Sequence, residues 1–261
     1  MPDIPQHVLM SVKSVSLSKP KARDVGLREC YESLTKARNL QSLSIDNCTL
    51  ERTNLLNRVN RFACRTKLLI TISRGSIWDI VEQSVWLTEA LKKDRFPCLQ
   101  ELELNICEMS VFYASSHLAQ FEPAFAVLGS TLQKLNISTE VEVTDEDVSV
   151  LEQLQSSSAS EIHLALYDGH QNEDPFSIQL FAGLRSLTSI EFGNYWLEDV
   201  CELALLPNLK EVSFTRCYFD EEEALGLMET CGSIEKITFF KCQATPDDTL
   251  WEGTVTLLHP D

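Results

Sequence analysis

A phrase of the form L-x-x-L-x-L-x-x-C returns along the whole chain, and this recurrence limits the fold more than any single residue does. Four copies are complete: Leu40, Leu43, Ile45, Cys48; Leu99, Leu102, Leu104, Cys107; Leu209, Val212, Phe214, Cys217; and Ile234, Ile237, Phe239, Cys242. Weaker copies run through Leu132, Leu135, Ile137; through Ala159, Ile162, Leu164; and through Leu187, Ile190, Phe192, Tyr195. Side chains two apart on a strand share a face, so each phrase predicts a short strand with its middle apolar pair inward and its polar residues outward. The first leucine and the final cysteine are expected to turn inward at the strand's two ends.

The starts at 99, 132, 159, 187, 209 and 234 lie 33, 27, 28, 22 and 25 residues apart. Such spacing brackets the roughly 20–29 residues of a stacked strand-and-helix repeat. The gap from 40 to 99 is 59 residues and conceals one copy, for which Leu68, Ile70 and Ile72 are the candidates. Val12, Val15 and Leu17 suggest one more strand before Leu40. About nine irregular units result, a number sufficient for each to bury its apolar edge on its neighbours. The expectation is one elongated domain over 1–261: an α/β solenoid of horseshoe form, with parallel strands on the concave face and helices on the convex face.

Helical spacing fills several gaps between strands. Residues 77–93 bring Ile77, Ile80, Val81, Val85, Trp86 and Leu87 near one face. Thr144, with Asp147 three residues on, reads as a helix start before Val148, Val150, Leu151 and Leu154. Asp220 to Glu223 precede Leu225, Leu227 and Met228, and carboxylates favour the positive end of a helix dipole.

Lys and Arg number 22 against 39 Asp and Glu, a net charge of −17. This excludes an ordinary nucleic-acid binder, which needs clustered cations to neutralise phosphates. The outward strand positions include Asp46, Glu101, Glu103, Glu161, Glu191 and Glu211 against Lys134 and Lys236, so the concave face is expected to be acidic and to favour a basic protein partner. Tyr195, Trp196, Tyr218 and Phe219, just beyond the late strands, are candidate anchors on its rim, as is Phe240.

Nine cysteines without a C-x-x-C pair, four of them at one repeat position, suit packing in a reducing compartment, cytoplasm or nucleus. No apolar run approaches the roughly 18 residues that span a bilayer, so no membrane partner is expected. His163, Asp168 and His170 stand close in sequence but have no third partner at metal-site spacing, so no metal, cofactor or catalytic residue is expected. No G-x-S-x-G, phosphate-cradling loop or H-E-x-x-H is present, and the chain reads as a non-enzyme.

The irregular period, the cysteine-ended phrase and the intervening helices resemble the leucine-rich repeat region of fungal F-box proteins, over most of residues 8–257. The resemblance implies substrate recognition for a cullin ubiquitin ligase, the repeats holding the protein to be modified. Family members reach the ligase adaptor through an N-terminal F-box opening on Leu-Pro. Ile4-Pro5-Gln6-His7-Val8-Leu9 only faintly matches it, so an adaptor is expected only with an F-box encoded upstream. Acidic cytosolic horseshoes similar to ribonuclease inhibitor offer the alternative: a binder or scaffold that sequesters a basic protein.

Overall fold

The computed structural model describes residues 11–18, 37, 39–46, 66–73, 77–93, 96–107, 117–128, 132–141, 143–157, 160–168, 175–230, 232–245 and 249–257. Cys48, Ala159, His170 and the segment Ile4 to Leu9 lie outside them. The chain is mixed α/β and forms two compact units, Met1–Tyr113 with His117–Leu135, and Ala114–Ser116 with Asn136–Asp261. Among the described residues no helix is long and apolar enough to cross a membrane.

In the first unit, β1 (Ser14–Ser18), β2 (Ser42–Asp46), β3 (Lys67–Ser73) and β4 (Glu101–Cys107) pair in parallel and in sequence order. Register places like on like. Leu43 lies beside Leu68 and Leu68 beside Leu102, while Ile45, Ile70 and Leu104 form the next row. All six are at most 1% exposed. The ladder continues to the start of β5 (Lys134–Thr139), where the amides of Gln133 and Lys134 donate to the Gln100 carbonyl. The segment Leu68, Ile70, Ile72 is thus a strand, as its spacing predicts.

α1 (Ile77–Lys92) connects β3 to β4 and packs on α2 (Glu122–Leu128). Ile80 and Leu87 are buried, and the Trp86 ring meets Phe96 edge-on at 6.2 Å. Val85 is 58% exposed, contrary to the expected apolar face. It sits one residue before Trp86, and the helix turns it towards solvent.

In the second unit β6 (Glu161–Tyr167), β8 (Leu187–Gly193), β10 (Glu211–Thr215) and β12 (Lys236–Thr245) repeat the parallel arrangement. Leu164, Ile190, Val212 and Ile237 form one inner row, and Leu166, Phe192, Phe214 and Phe239 the next. Short helical turns at Ile178–Phe181 and Val200–Leu205 make two of the connections, and α3 (Asp145–Ser157) and α4 (Glu221–Thr230) make others. Phe181 touches Phe192 at 6.2 Å, which puts that connection on the buried side of the strands. β7 (Phe176–Ser177) pairs in parallel with β9 (Leu197–Glu198), and β11 (Tyr218–Asp220) with the end of β12. The run ends with a reversal: β13 (Thr249–Thr256) pairs antiparallel with β12, and Trp251 packs edge-on against Phe239 at 5.0 Å and Phe219 at 5.8 Å.

The start of α3 matches its sequence signal. The Thr144 amide and hydroxyl both donate to Asp147 Oδ2 at 3.0 Å, and the Asp147 amide donates back to the Thr144 hydroxyl at 3.4 Å. This reciprocal cap satisfies helix-end donors that would otherwise be orphaned. Thr144→Ala is expected to cost about 1 kcal/mol in urea denaturation, and an unchanged midpoint would show that the cap contributes nothing. α4 starts where the acidic run predicts, with Asp220 Oδ1 accepting from the Glu222 amide at 2.8 Å. Leu227 is buried there, but Leu225 is 44% exposed and faces away from the core.

Among the described residues one local device recurs at the end of β8, at the end of β10 and within β12. Asn194, Arg216 and Lys241 have φ of 63°, 54° and 55°, the left-handed region. Each follows the last residue of a parallel pairing and precedes Tyr195, Cys217 or Cys242. A left-handed residue interrupts the strict alternation of a strand, so the residue after it returns to the buried side. Tyr195, Cys217 and Cys242 are accordingly at most 3% exposed. β4 continues without that break, so Ile106 takes the third inner position and Cys107 stays half-buried on the outer side. This corrects the expectation that Cys107 closes the core.

The two buried thiols also have polar partners. Cys217 donates to the Phe192 carbonyl and Cys242 to the Phe214 carbonyl, each at 3.3 Å and each on the preceding rung. Burial pushes the Cys217 thiol well above its usual range, which keeps it protonated as a donor.

Candidate protein-binding surface

The outer residues of a paired strand share a face and stand in rows set by register, so the candidate residues can be placed row by row. In the first unit Asp46 ends β2, beside Thr71, and is half-buried. Glu101 and Glu103 lie outward on β4, but not as free charges. Lys67 stands opposite Glu101 in register, and its ammonium reaches both carboxylates at 3.0 Å. Burial works against this ammonium, yet the hydrogen bonds and charges of Glu101 and Glu103 outweigh it and raise its pKa. Lys67 is the cation that the outward count omits. Its strand lacks the cysteine of the phrase, and its outward positions are legible only once the register of β3 is fixed.

In the second unit Glu161 is exposed, with His163 Nε2 3.8 Å away. The same nitrogen lies 3.2 Å from the Thr188 hydroxyl. Asp168 is buried, and among the described residues no group of three or more His, Cys, Asp or Glu is placed to hold a metal ion. Glu211 faces Lys236 across the ladder at 4.0 Å. Glu191 accepts a 2.7 Å hydrogen bond from the Tyr167 hydroxyl.

Tyr167 reaches Glu191 by lying across Gly193, its neighbour in register. A Cβ on Gly193 would fall 2.2 Å from the Tyr167 ring, so the ring occupies the place of a side chain. Burial, then the hydrogen bond and charge of Glu191 and the charge of Glu140, hold the phenol far above its usual pKa. A folded pKa above the unfolded value gives stability that is complete below the unfolded value, about 10, and lost as pH rises through the folded one. Tyr167→Phe is therefore expected to flatten the fall in stability at alkaline pH. Identical alkaline melting curves for the two proteins would show that Tyr167 titrates as it does in the unfolded chain.

The four rim aromatics divide into two pairs. Tyr195 is 3% exposed, 5.0 Å from Phe176 and 6.1 Å from Phe192, and Phe219 is fully buried against Phe214, Phe239 and Trp251. Both belong to the core instead of the rim: Asn194 resets the alternation directly before Tyr195, and Arg216 resets it before Cys217, from which Phe219 is again inward two residues on. The same reset sends their neighbours outward. Trp196 is 46% and Tyr218 47% exposed, and an isolated parallel bridge places them side by side. Phe240 is 42% exposed at the end of its paired segment, with the Lys241 ammonium 5.2 Å from its ring centre.

The outer face of the second unit thus holds two textures. Along the strands are carboxylates largely engaged by neighbours, at the left-handed turns are exposed Arg216 and Lys241, and beyond the turns are the open rings of Trp196 and Tyr218. Arg216 and Lys241 carry no signal in the repeat phrase beyond preceding its cysteine. No known protein-family model matches this chain, and no curated protein is significantly similar to it.

Proposed function

We propose that this chain is a leucine-rich repeat solenoid acting as a non-enzymatic protein-binding module, of the substrate-recognition type used by F-box ubiquitin ligases. The observation that carries the reading is the rung-by-rung register: successive parallel strands set leucine on leucine and phenylalanine on phenylalanine, with polar residues outward. A stack of this kind has its chemistry on a broad face, and such faces serve recognition. The described cysteines are all free, in keeping with a reducing compartment such as cytoplasm or nucleus.

The second reading, a binder that sequesters a basic protein without ubiquitin chemistry, has the net charge of −17 in its favour. Against it, outward carboxylates already have partners on their own unit's face: Glu101 and Glu103 on Lys67, Glu161 beside His163, Glu191 on Tyr167, and Glu211 on Lys236.

Affinity purification of the endogenously tagged protein with mass spectrometry separates the readings. The ligase reading expects a cullin and its adaptor together with further proteins as substrates. One basic protein without ligase subunits would select the sequestering reading. Reversal to lysine of Glu101 and Glu103 in the first unit, or of Glu161 and Glu191 in the second, is then expected to weaken a basic partner by at least about tenfold where that unit's strand face is the site. Retention of the partner by both folded variants would exclude the strand face of either unit.

A further inference from the structure

On the outer strip of the second unit Trp196 and Tyr218 stand side by side, and Arg216 and Lys241 occupy equivalent left-handed turns on adjacent rungs. The equivalence is set by the backbone, since the Asn194 amide donates to the Thr215 carbonyl at 2.9 Å and the Arg216 amide to the Phe240 carbonyl at 2.8 Å. Neighbouring rungs lie about 5 Å apart, so the two side chains leave the backbone from adjacent positions.

Three observations say that these side chains have a use. First, a left-handed φ disfavours residues with a Cβ, glycine being the cheapest choice and asparagine the best-tolerated substitute. Position 194 has asparagine, but 216 and 241 have arginine and lysine at φ of 54° and 55°. Strain retained at a charged, exposed residue points to its side chain. Second, among the described residues the Arg216 guanidinium makes no ion pair, and Lys241 meets only the face of Phe240, although the chain carries 39 carboxylates. Third, the rings beside them are open, and Trp, Tyr and Arg are the side chains that dominate protein-binding energies.

We propose that this strip docks an acidic linear peptide segment of a partner protein. Its carboxylates meet Arg216 and Lys241, and an apolar or aromatic side chain lies against Trp196 and Tyr218. Charge complementarity chooses the occupant. The strip is cationic but narrow: Glu191 and Glu211 lie on the strand side of it, and exposed Glu198 and Asp220 on the other. One extended chain fits between these borders, whereas a nucleic acid or an anionic membrane would set its wider charge against them. The inference rests on the reading of the chain as a protein-binding module and gives it a site and a partner chemistry.

The test pans a random peptide library on the immobilised full chain. The selected peptide, fluorescein-labelled, is then measured by anisotropy on wild type, Arg216→Gly/Lys241→Gly and Trp196→Ala/Tyr218→Ala. Selected peptides are expected to be rich in Asp and Glu around an aromatic or aliphatic residue, and both variants to bind at least about tenfold more weakly. Glycine relieves the left-handed strain, so the first variant is also expected to melt ~2–4 °C higher while it loses the peptide. A residue kept only for structure would not separate binding from stability in this way. Selection of basic peptides, unchanged anisotropy in the glycine variant, or equal binding of a single-stranded oligonucleotide or phosphatidylserine vesicles would overturn the proposal. If both variants keep the protein partner recovered with the tagged chain, this site is wrong and the module reading stands. If the chain retains neither peptide nor protein, both fall.

Discussion

Leu102→Asp is expected to leave the first unit unfolded at ordinary temperatures. Leu102 is fully buried, beside Leu68 in register, in a row of aliphatic side chains with no polar partner for a carboxylate. An isolated charge there is so costly that the group would protonate instead, and even the neutral acid would lack the hydrogen bonds it makes in water. Several kcal/mol are lost, against a total of roughly 5–15 kcal/mol for an ordinary domain. The folded pKa of such an aspartate lies above its unfolded value, so the damage should ease as pH falls through the folded pKa and be complete above it. Circular dichroism melts at neutral and acidic pH measure both effects. Glu103→Ala, one position along and outward, is expected to cost no more than about 1 kcal/mol despite losing an ion pair to Lys67, because that pair is partly solvated. Equal melting temperatures for the two variants would mean that the inward and outward positions of β4 are wrongly assigned.

Phe214→Ala is the corresponding test in the second unit. Phe214 is fully buried between Phe192 and Phe239, its counterparts on the flanking strands, with near-parallel rings at 6.0 Å and 5.4 Å and Phe219 at 5.7 Å. Truncation removes the middle of a three-ring stack and leaves a cavity that its rigid neighbours cannot fill, at about 3–5 kcal/mol. Phe214→Leu, which keeps most of the volume, is expected to cost roughly half as much. Urea denaturation gives these values, and hydrogen exchange locates the loss, expected in β8, β10 and β12. A loss below about 1 kcal/mol for the alanine variant would be incompatible with a continuous aromatic stack.

The inner rows were legible because they depend on one rule, the alternation of a strand, applied to residues of unambiguous character. Leu43, Leu68 and Leu102, or Phe192, Phe214 and Phe239, could be aligned from spacing alone, and their register follows. The outer face was less legible because its character depends on pairs. Glu101 and Glu103 read as acidic until Lys67, 34 residues before Glu101, is set opposite them. The strand ends failed for a different reason. Tyr195 and Phe219 belong to the core, and Cys107 does not, according to whether a left-handed residue has reset the alternation upstream of it in the same strand segment. Glycine would have announced such a turn, but Arg216 and Lys241 conceal it. Val85 and Leu225 mark the limit of helical periodicity, which groups apolar residues on a face without saying how wide the buried stripe is.

The antiparallel β13 bears on what can be added at that edge of the sheet. A ladder of near-identical parallel rungs has no natural last member, since the free edge of each is a template for the next, from the same chain or from another. β13 ends the second unit by running the other way, with Trp251 laid over Phe239 and Phe219 and Gly253 opposite Phe239. A further strand laid down in the parallel sense would meet a border of the wrong polarity there. The hairpin of β12 and β13 thus turns one edge of the ladder from a template for its own kind into a surface that does not carry its register onward.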